Sequence, residues 1–356
     1  MHVLLTGAAG FIGEHIHEAL LAAGHDVTAV DAFLPSAHGS APRRASTVTT
    51  VTTVDVRDPD ALDGVMVGVD AVCHQAAVVG AGVSMADAPA YASHNDLGTA
   101  EVLAAMARAQ CRKLVLASSM VVYGEGRYRC PTHGIVRPRH RQPSDLRNGV
   151  FDATCPEGGE QVTWETVDES APLEPRSLYA ASKLAQENYA LAWSLATGGT
   201  VTALRYHNVY GDRMPRDTPY SGVAAMFRSS LESGEPPTVY EDGAQMRDFV
   251  DVRDVAAANV AALDRAGEGF VACNVCSGHP VSIGDVARIL CRAHGGGIEP
   301  TVTGQFRPGD VRHIVAGADL ADDVLGFRAA IGPEEGLTRF AFAPLRAASD
   351  GSAPVV

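Results

Sequence analysis

The chain predicts a doubly wound α/β fold, a parallel sheet covered by helices on both faces, and three observations carry that prediction. Short apolar runs at 3–5, 27–30, 50–54, 71–73, 114–117 and 201–204 read as buried strands. Ala-rich amphipathic stretches, such as 101–110, alternate with them. The first strand runs directly into Gly-x-x-Gly-x-x-Gly, with a helix expected from about Phe11.

In that first turn Gly7 supplies the backbone angles of a tight bend, Gly10 lets the main chain approach a pyrophosphate, and Gly13 lets helix and strand pack closely. Phe11 and Ile12 open the helix, whose N-terminus faces the phosphates. Asp31 ends the second strand at the spacing expected of a ribose-binding acid. Its carboxylate would accept from the ribose hydroxyls and repel a 2′-phosphate, which favours NAD over NADP. The stretch 32–47 reads as a loop, and its Arg43–Arg44 pair as solvated.

Asp55 and Val56 follow the third strand, where a side chain can reach the adenine. His74-Gln75-Ala76-Ala77 follows the fourth, with small residues where backbone passes close to a cofactor, and Asn95 is expected to open the next helix. The fifth strand delivers Ser118 and Ser119 to the carboxyl end of the sheet, where ligands bind in such folds. Tyr179 and Lys183 lie four residues apart in a helical pattern reaching about Leu195, which puts phenol and ammonium on one face. A free phenol titrates near 10, so a base useful at neutral pH needs about three units of depression, expected here from Lys183 and an adjacent nicotinamide cation.

A chain of 356 residues with 46% hydrophobic content suits two domains with sizeable cores. The net charge of −14 argues against nucleic acid or an anionic membrane as partner. No apolar run reaches membrane-spanning length and residues 1–13 do not read as a secretory leader, so a cytoplasmic location is expected. Seven cysteines, an odd number, fit reduced thiols better than a disulfide framework.

Together these stretches resemble the extended short-chain dehydrogenase/reductases, in particular the NAD-dependent nucleotide-sugar epimerases and dehydratases. The resemblance rests on residues 6–13 and 74–77, on Ser118-Ser119-Met120-Val121-Val122-Tyr123-Gly124, and on Tyr179 with Lys183. It extends through Arg205-Tyr206-His207-Asn208-Val209-Tyr210-Gly211, residues 247–254 and 273–278, and Arg307-Pro308-Gly309-Asp310. It implies a Rossmann domain with a smaller C-terminal α/β domain over a nucleotide sugar. Ser119, Tyr179 and Lys183 become the catalytic group, while Met120, Asn208, Arg247 and Arg307 join Ser119 in the sugar-nucleotide site and His207 lies near the nicotinamide. Arginines suit a diphosphate because their forked donors match its oxygens. The family's dehydratases, decarboxylases and 3,5-epimerases need a carboxylate or thiol just after the catalytic hydroxyl, where Met120 and Val121 stand. The resemblance therefore implies 4-epimerisation through a transient 4-keto sugar, and a homodimer through the helices of Asn95 and Tyr179.

The implied domains are 1–206 with 245–265, and 207–244 with 266–345, followed by a tail at 346–356. An insertion at 126–170 holds Cys130-Pro131-Thr132-His133, a basic run from Arg137 to Arg147, and Cys155-Pro156-Glu157-Gly158. It reads as a surface lobe over the active-site entrance. Cys130, His133 and Cys155 could hold zinc with His140 or a carboxylate, although Gly158 sits where the fourth ligand of a zinc knuckle belongs. Cys273 and Cys276 fall on opposite faces of a strand and read as packing residues. Stretches 221–232 and 282–293 read as helices of the second domain. Together with the insertion and residues 205–211, the 214–220 segment resembles the subgroup commonly assigned as dTDP-L-rhamnose 4-epimerases. UDP-sugar 4-epimerisation and a cofactor-sensing protein without turnover are the rival readings.

Overall fold

The computed structural model describes residues 1–38, 50–80, 84–216, 222–265 and 267–346. The Arg43–Arg44 pair, residues 217–221 of the expected loop and helix, and the tail from 347 lie outside them. The main sheet has seven strands: β1 (His2–Thr6), β2 (Asp26–Asp31), β3 (Thr52–Thr53), β4 (Ala71–His74), β5 (Lys113–Ser119), β6 (Thr200–Tyr206) and β7 (Phe270–Val275). Their order is β3-β2-β1-β4-β5-β6-β7 and every pairing is parallel. The order reverses between β1 and β4, which opens a crevice at the carboxyl ends of those two strands.

Alternation along the strands builds a core on each face. Val3 and Leu5 of β1 and Val115 of β5 meet Ile16 and Leu20 of α1 (Phe11–Ala22) on one side. Leu4, Leu114 and Leu116 meet Val102 and Met106 of α2 (Gly98–Arg108) and Trp193 of α3 (Leu178–Thr197) on the other. A fourth long helix, α4 (Val252–Asp264), adds Val255 and Ala258 to the α1 side. Strand positions carry apolar residues continuously because both faces are covered, which is why periodicity alone marked them as buried.

Three expectations change. The third strand shrinks to Thr52–Thr53, because both threonines are exposed at the sheet edge and pair only with Val30 and Asp31. The helix expected to open at Asn95 has already begun at Ala88, and Asn95 lies in a wide, π-type turn at Ala92–Leu97 that runs on into α2. β7 pairs with β6 over six residues, so 270–275 joins the cofactor-binding sheet although it lies within 266–345. Cys273 ends up buried in the α1-side core, while Cys276 is buried in a separate cluster just past the strand.

The second core gathers Tyr210, Phe227, Phe249, Leu290 and Phe340. Its helices are Val223–Glu232, Ile283–Ala293 and Pro333–Phe340, the middle one started by Ser282, whose hydroxyl accepts from Asp285 N–H at 3.0 Å. The insertion forms its own three-stranded sheet from Arg127–Cys130, Gly134–Val136 and Thr163–Glu165 around Tyr128, Val136 and Trp164. It is tied to the second domain by ion pairs: Arg141 meets Glu241 at 2.8 Å with both side chains buried, and Arg312, itself held by Glu241 at 2.9 Å, reaches the half-exposed Asp152 at 2.8 Å.

Candidate active site

The first turn is built as the sequence requires. Gly7 has φ +68°, and a Cβ there would lie 2.7 Å from Ala76 N. A Cβ on Gly13 would lie 2.1 Å from Gly7 O, so loop and helix touch at these glycines. Gly10 is the N-cap of α1 and no side chain caps it, which leaves the first-turn N–H groups around Phe11 and Ile12 for a ligand. Asp31, buried at the end of β2, accepts from Ala9 N–H at 3.1 Å and Phe33 N–H at 2.8 Å, and His38 approaches it at 3.3 Å.

Other cofactor-side residues are more engaged with the protein than their motifs suggested. Asp55 is paired with Arg57 at 2.5 Å, and that hydrogen bond holds its carboxyl below the usual range. Val56 is buried against Gly98. Gln75 donates to Asn259 and accepts from Tyr206, while its N–H and that of Ala76 both bond Thr6 Oγ1 at 3.2 Å. Ala77 is partly exposed beside them. Asn95 is fully buried, and its amide clasps Val78 N–H and C=O and the Ser182 hydroxyl. Its polar atoms are thus spent on fixing the loop after β4 to α3.

At the carboxyl end of β5, Ser119 hydrogen-bonds the phenol of Tyr179. Lys183 Nζ donates to Ala117 O at 2.9 Å and sits 5.8 Å from the Tyr179 ring centroid. The three residues expected to act together do meet. Burial works against the expected depression: it raises the Tyr179 phenol above its ordinary value, outweighing the Ser119 hydrogen bond. Burial also brings Lys183 down to about 7 against the opposing pull of Glu187. Burial therefore disfavours the phenolate, and the expected depression rests on the charge of a nicotinamide beside it.

On the substrate side, Met120 follows Ser119 and is half-buried. Asn208 Oδ1 is buried without a hydrogen-bond partner. His207 is buried next to it and held neutral, with burial lowering it to about 3. Arg247 donates to the carbonyls of Met246, Val311 and Arg312 at 2.7–2.9 Å. Arg307 is exposed, with its guanidinium 5.2 Å from the Tyr240 ring centroid.

The NAD dependent epimerase/dehydratase family model matches residues 3–144 and 149–276. The chain belongs to this family. It is 36% identical over 343 residues to the dTDP-L-rhamnose 4-epimerase of Burkholderia thailandensis, covering 94% of this chain and 92% of the relative. It is 30% identical over 340 residues to a putative UDP-glucose 4-epimerase of Methanocaldococcus jannaschii, covering 95% and 96%. Among solved structures, the NAD complex of Thermus thermophilus UDP-glucose 4-epimerase superposes with a TM-score of 0.74 at 31% identity, over 96% of this chain and 98% of that one. NAD is the cofactor of this family, and the uncapped helix start, glycine turn and Asp31 suit its pyrophosphate and ribose.

Behind the Ser119–Tyr179–Lys183 group this epimerase/dehydratase carries a buried network that the motifs did not reveal. Arg205 and Glu187, each 4% exposed, pair at 2.8 Å. Glu187 also accepts from Ser118, and Arg205 donates to Tyr123 OH at 2.9 Å. Tyr123 in turn donates to Asn274 at 2.7 Å. Lys183 and Glu187 stand one helical turn apart, a spacing visible in the sequence that points to Glu187 lying near Lys183 but not to its partner Arg205.

A titration follows from the protonated phenol. The wild-type minus Tyr179→Phe ultraviolet difference, which isolates one of nine tyrosines, should show no phenolate inflection below about pH 10 without cofactor. Saturation with NAD⁺ should move the inflection down. An inflection near neutrality in the cofactor-free chain would contradict the burial argument.

Proposed function

We propose that the chain inverts C4 of a nucleotide-diphosphate sugar through a transient 4-keto intermediate, and that the substrate is a dTDP-deoxysugar such as dTDP-L-rhamnose. The observation that carries this reading is the Ser119–Tyr179–Lys183 group, with Met120 and Val121 where proton-transferring residues would stand, in a chain matching a dTDP-L-rhamnose 4-epimerase over 92% of that relative's length. NAD, when bound, accepts the C4 hydride and returns it. Tyr179 takes the C4 hydroxyl proton, Ser119 orients and relays it, and Lys183, fixed by Ala117 O, keeps positive charge below the phenol. Inversion then requires the keto sugar to turn while the nucleotide stays held.

The holding falls to Asn208, Arg247 and Arg307. Asn208 Oδ1 awaits a donor. Arg247 shapes the site by gripping the 311–312 carbonyls, and the exposed Arg307 is the freer cation for a diphosphate. Arg307→Ala should raise KM about 10–100-fold with kcat nearly unchanged, the loss of a charged hydrogen bond common to ground and transition states. Initial-rate kinetics check this, and an equal fall in kcat would place Arg307 at the reacting centre instead. The Methanocaldococcus and Thermus relatives favour UDP-sugars as the second reading. A panel of dTDP- and UDP-sugars, with C4 epimers resolved, separates the two and also exposes a protein that binds without turnover.

A homodimer through α3 and the helix of Asn95 belongs to the same proposal. Leu97, Leu191 and Leu195 are 47%, 39% and 79% exposed there, an apolar surface suited to burial against a second copy. No helix among the described residues is long and apolar enough to cross a membrane. Sedimentation at assay concentration tests the dimer, and a monomer at all concentrations would remove it.

A further inference from the structure

The insertion lobe brings together four side chains that the epimerase chemistry does not use. Cys130 ends one strand, and a tight hairpin through Gly134 at φ +71° folds His133 back over it. The second loop starts at Cys155, whose N–H donates to Glu160 O at 2.8 Å and whose O accepts from Gly159 N–H at 2.9 Å. The N–H groups of Gly158 and Glu157 also point at the Cys155 sulfur. His133 Nδ1 lies 3.4 Å from both sulfurs and 3.9 Å from Glu160 Oε2, which is 3.9 Å from the Cys130 sulfur. All four donor atoms fall within 4.8 Å of one another.

We propose that the lobe holds one zinc ion in a closed tetrahedral site formed by Cys130 Sγ, His133 Nδ1, Cys155 Sγ and Glu160 Oε. Zinc bonds of about 2.3 Å to sulfur and 2.0–2.2 Å to nitrogen or oxygen give tetrahedral edges of roughly 3.3–3.8 Å. The donors stand close to those edges, so coordination needs only shifts of a few tenths of an ångström to about an ångström. Gly158 explains why a carboxylate completes the set. A Cβ at 158 would lie 2.1 Å from Glu160 Oε2, so glycine at the position of a fourth knuckle thiolate is what admits the Glu160 carboxylate. Of the carboxylate or His140 expected from sequence, the geometry selects the carboxylate. His133 Nε2 faces Glu157 at 4.0 Å, the outer carboxylate that commonly orients a zinc-bound imidazole.

Both sulfurs are buried, and four protein ligands leave no position for a reacting water. The role is therefore structural. The ion joins the strand ending at Cys130 to the loop starting at Cys155, in a lobe whose small buried cluster gathers Tyr128, Cys130, Val136, Ala153 and Cys155, with Val162 and Trp164 packed against it. Such small units commonly derive folding energy from metal. Because the lobe is pinned to the second domain through Arg141 and Asp152, the ion would also steady that contact.

The test is elemental analysis of untagged full-length protein, as isolated and after incubation with zinc and removal of excess, with a count of free thiols. The expected result is about one zinc per chain, reduced thiols, and a lower melting temperature after chelation. Replacement with Co²⁺ should give the visible bands of tetrahedral cobalt and a thiolate charge-transfer band. Glu160→Gln should keep the fold but lose metal to a chelator faster than Glu157→Gln, and Cys155→Ser should abolish the charge-transfer intensity of one thiolate. Zinc below about a tenth of an equivalent after reconstitution would overturn the proposal. So would a Cys130–Cys155 disulfide in the native protein, or a cobalt spectrum showing no thiolate. The wild-type measurements decide the matter even if a variant fails to fold.

Discussion

Tyr179→Phe should lower kcat by about 10²–10⁴-fold while leaving NAD bound, because it removes one oxygen and nothing else from the site. Tyr179 touches the protein through the Ser119 hydrogen bond and a tilted ring contact to Tyr91 at 6.3 Å, so the ring and its packing survive the change. Cofactor content of the purified variant, unfolding temperature and single-turnover rate separate chemistry from folding. Retained turnover within a few-fold of wild type would take the proton acceptor away from Tyr179. Loss of activity together with loss of NAD would instead make the residue a binding group.

Arg205→Met should cost about 3–5 kcal/mol of stability, the largest single effect expected away from the glycine turn. It leaves Glu187 charged and buried, with Ser118 as its remaining hydrogen-bond donor and Lys183 as the nearby cation, and the Tyr123 hydroxyl loses its donor. The paired Arg205→Met/Glu187→Met change removes both charges and should recover much of that loss, since two apolar side chains of similar volume need no desolvation. Denaturant unfolding of the four proteins gives the coupling directly. Equal destabilisation by the single and double variants would show that the pair matters only for packing. Glu187→Gln carries a second readout. Glu187 raises the Lys183 proton affinity against burial, so its neutralisation should bring loss of the ammonium, and of activity on the alkaline side, to lower pH.

Legibility followed the range of the physics. The glycine turn, Asp31 and the Tyr179–Lys183 face were readable because each depends on spacing within one strand, turn or helix. Asn95 was placed at the opening of a helix, and its structural partners Val78 and Ser182 went unseen because they lie 17 and 87 residues away. The Arg205–Glu187 pair was missed since one partner sits on β6 and the other on α3, and only the sheet brings them together. β7 was assigned with the second domain because chain order gave no sign that residue 270 returns to the first sheet. Burial of the Tyr179 phenol, invisible in a helical wheel, works against the depression expected there and outweighs the Ser119 hydrogen bond. Glu160 escaped notice as a ligand because it lies two residues beyond the position that knuckle spacing indicates.

The central claim is that C4 inverts by oxidation and reduction within one closed site, with Tyr179 moving the hydroxyl proton. The most direct measurement is turnover of a nucleotide sugar carrying deuterium at C4, with no redox equivalents added, followed by mass and NMR analysis of both epimers. The expected result is inverted product that keeps its deuterium at C4 and takes none of the solvent's hydrogen at C3 or C5. Exchange of the C4 label with solvent, or solvent hydrogen appearing at C3 or C5, would contradict it.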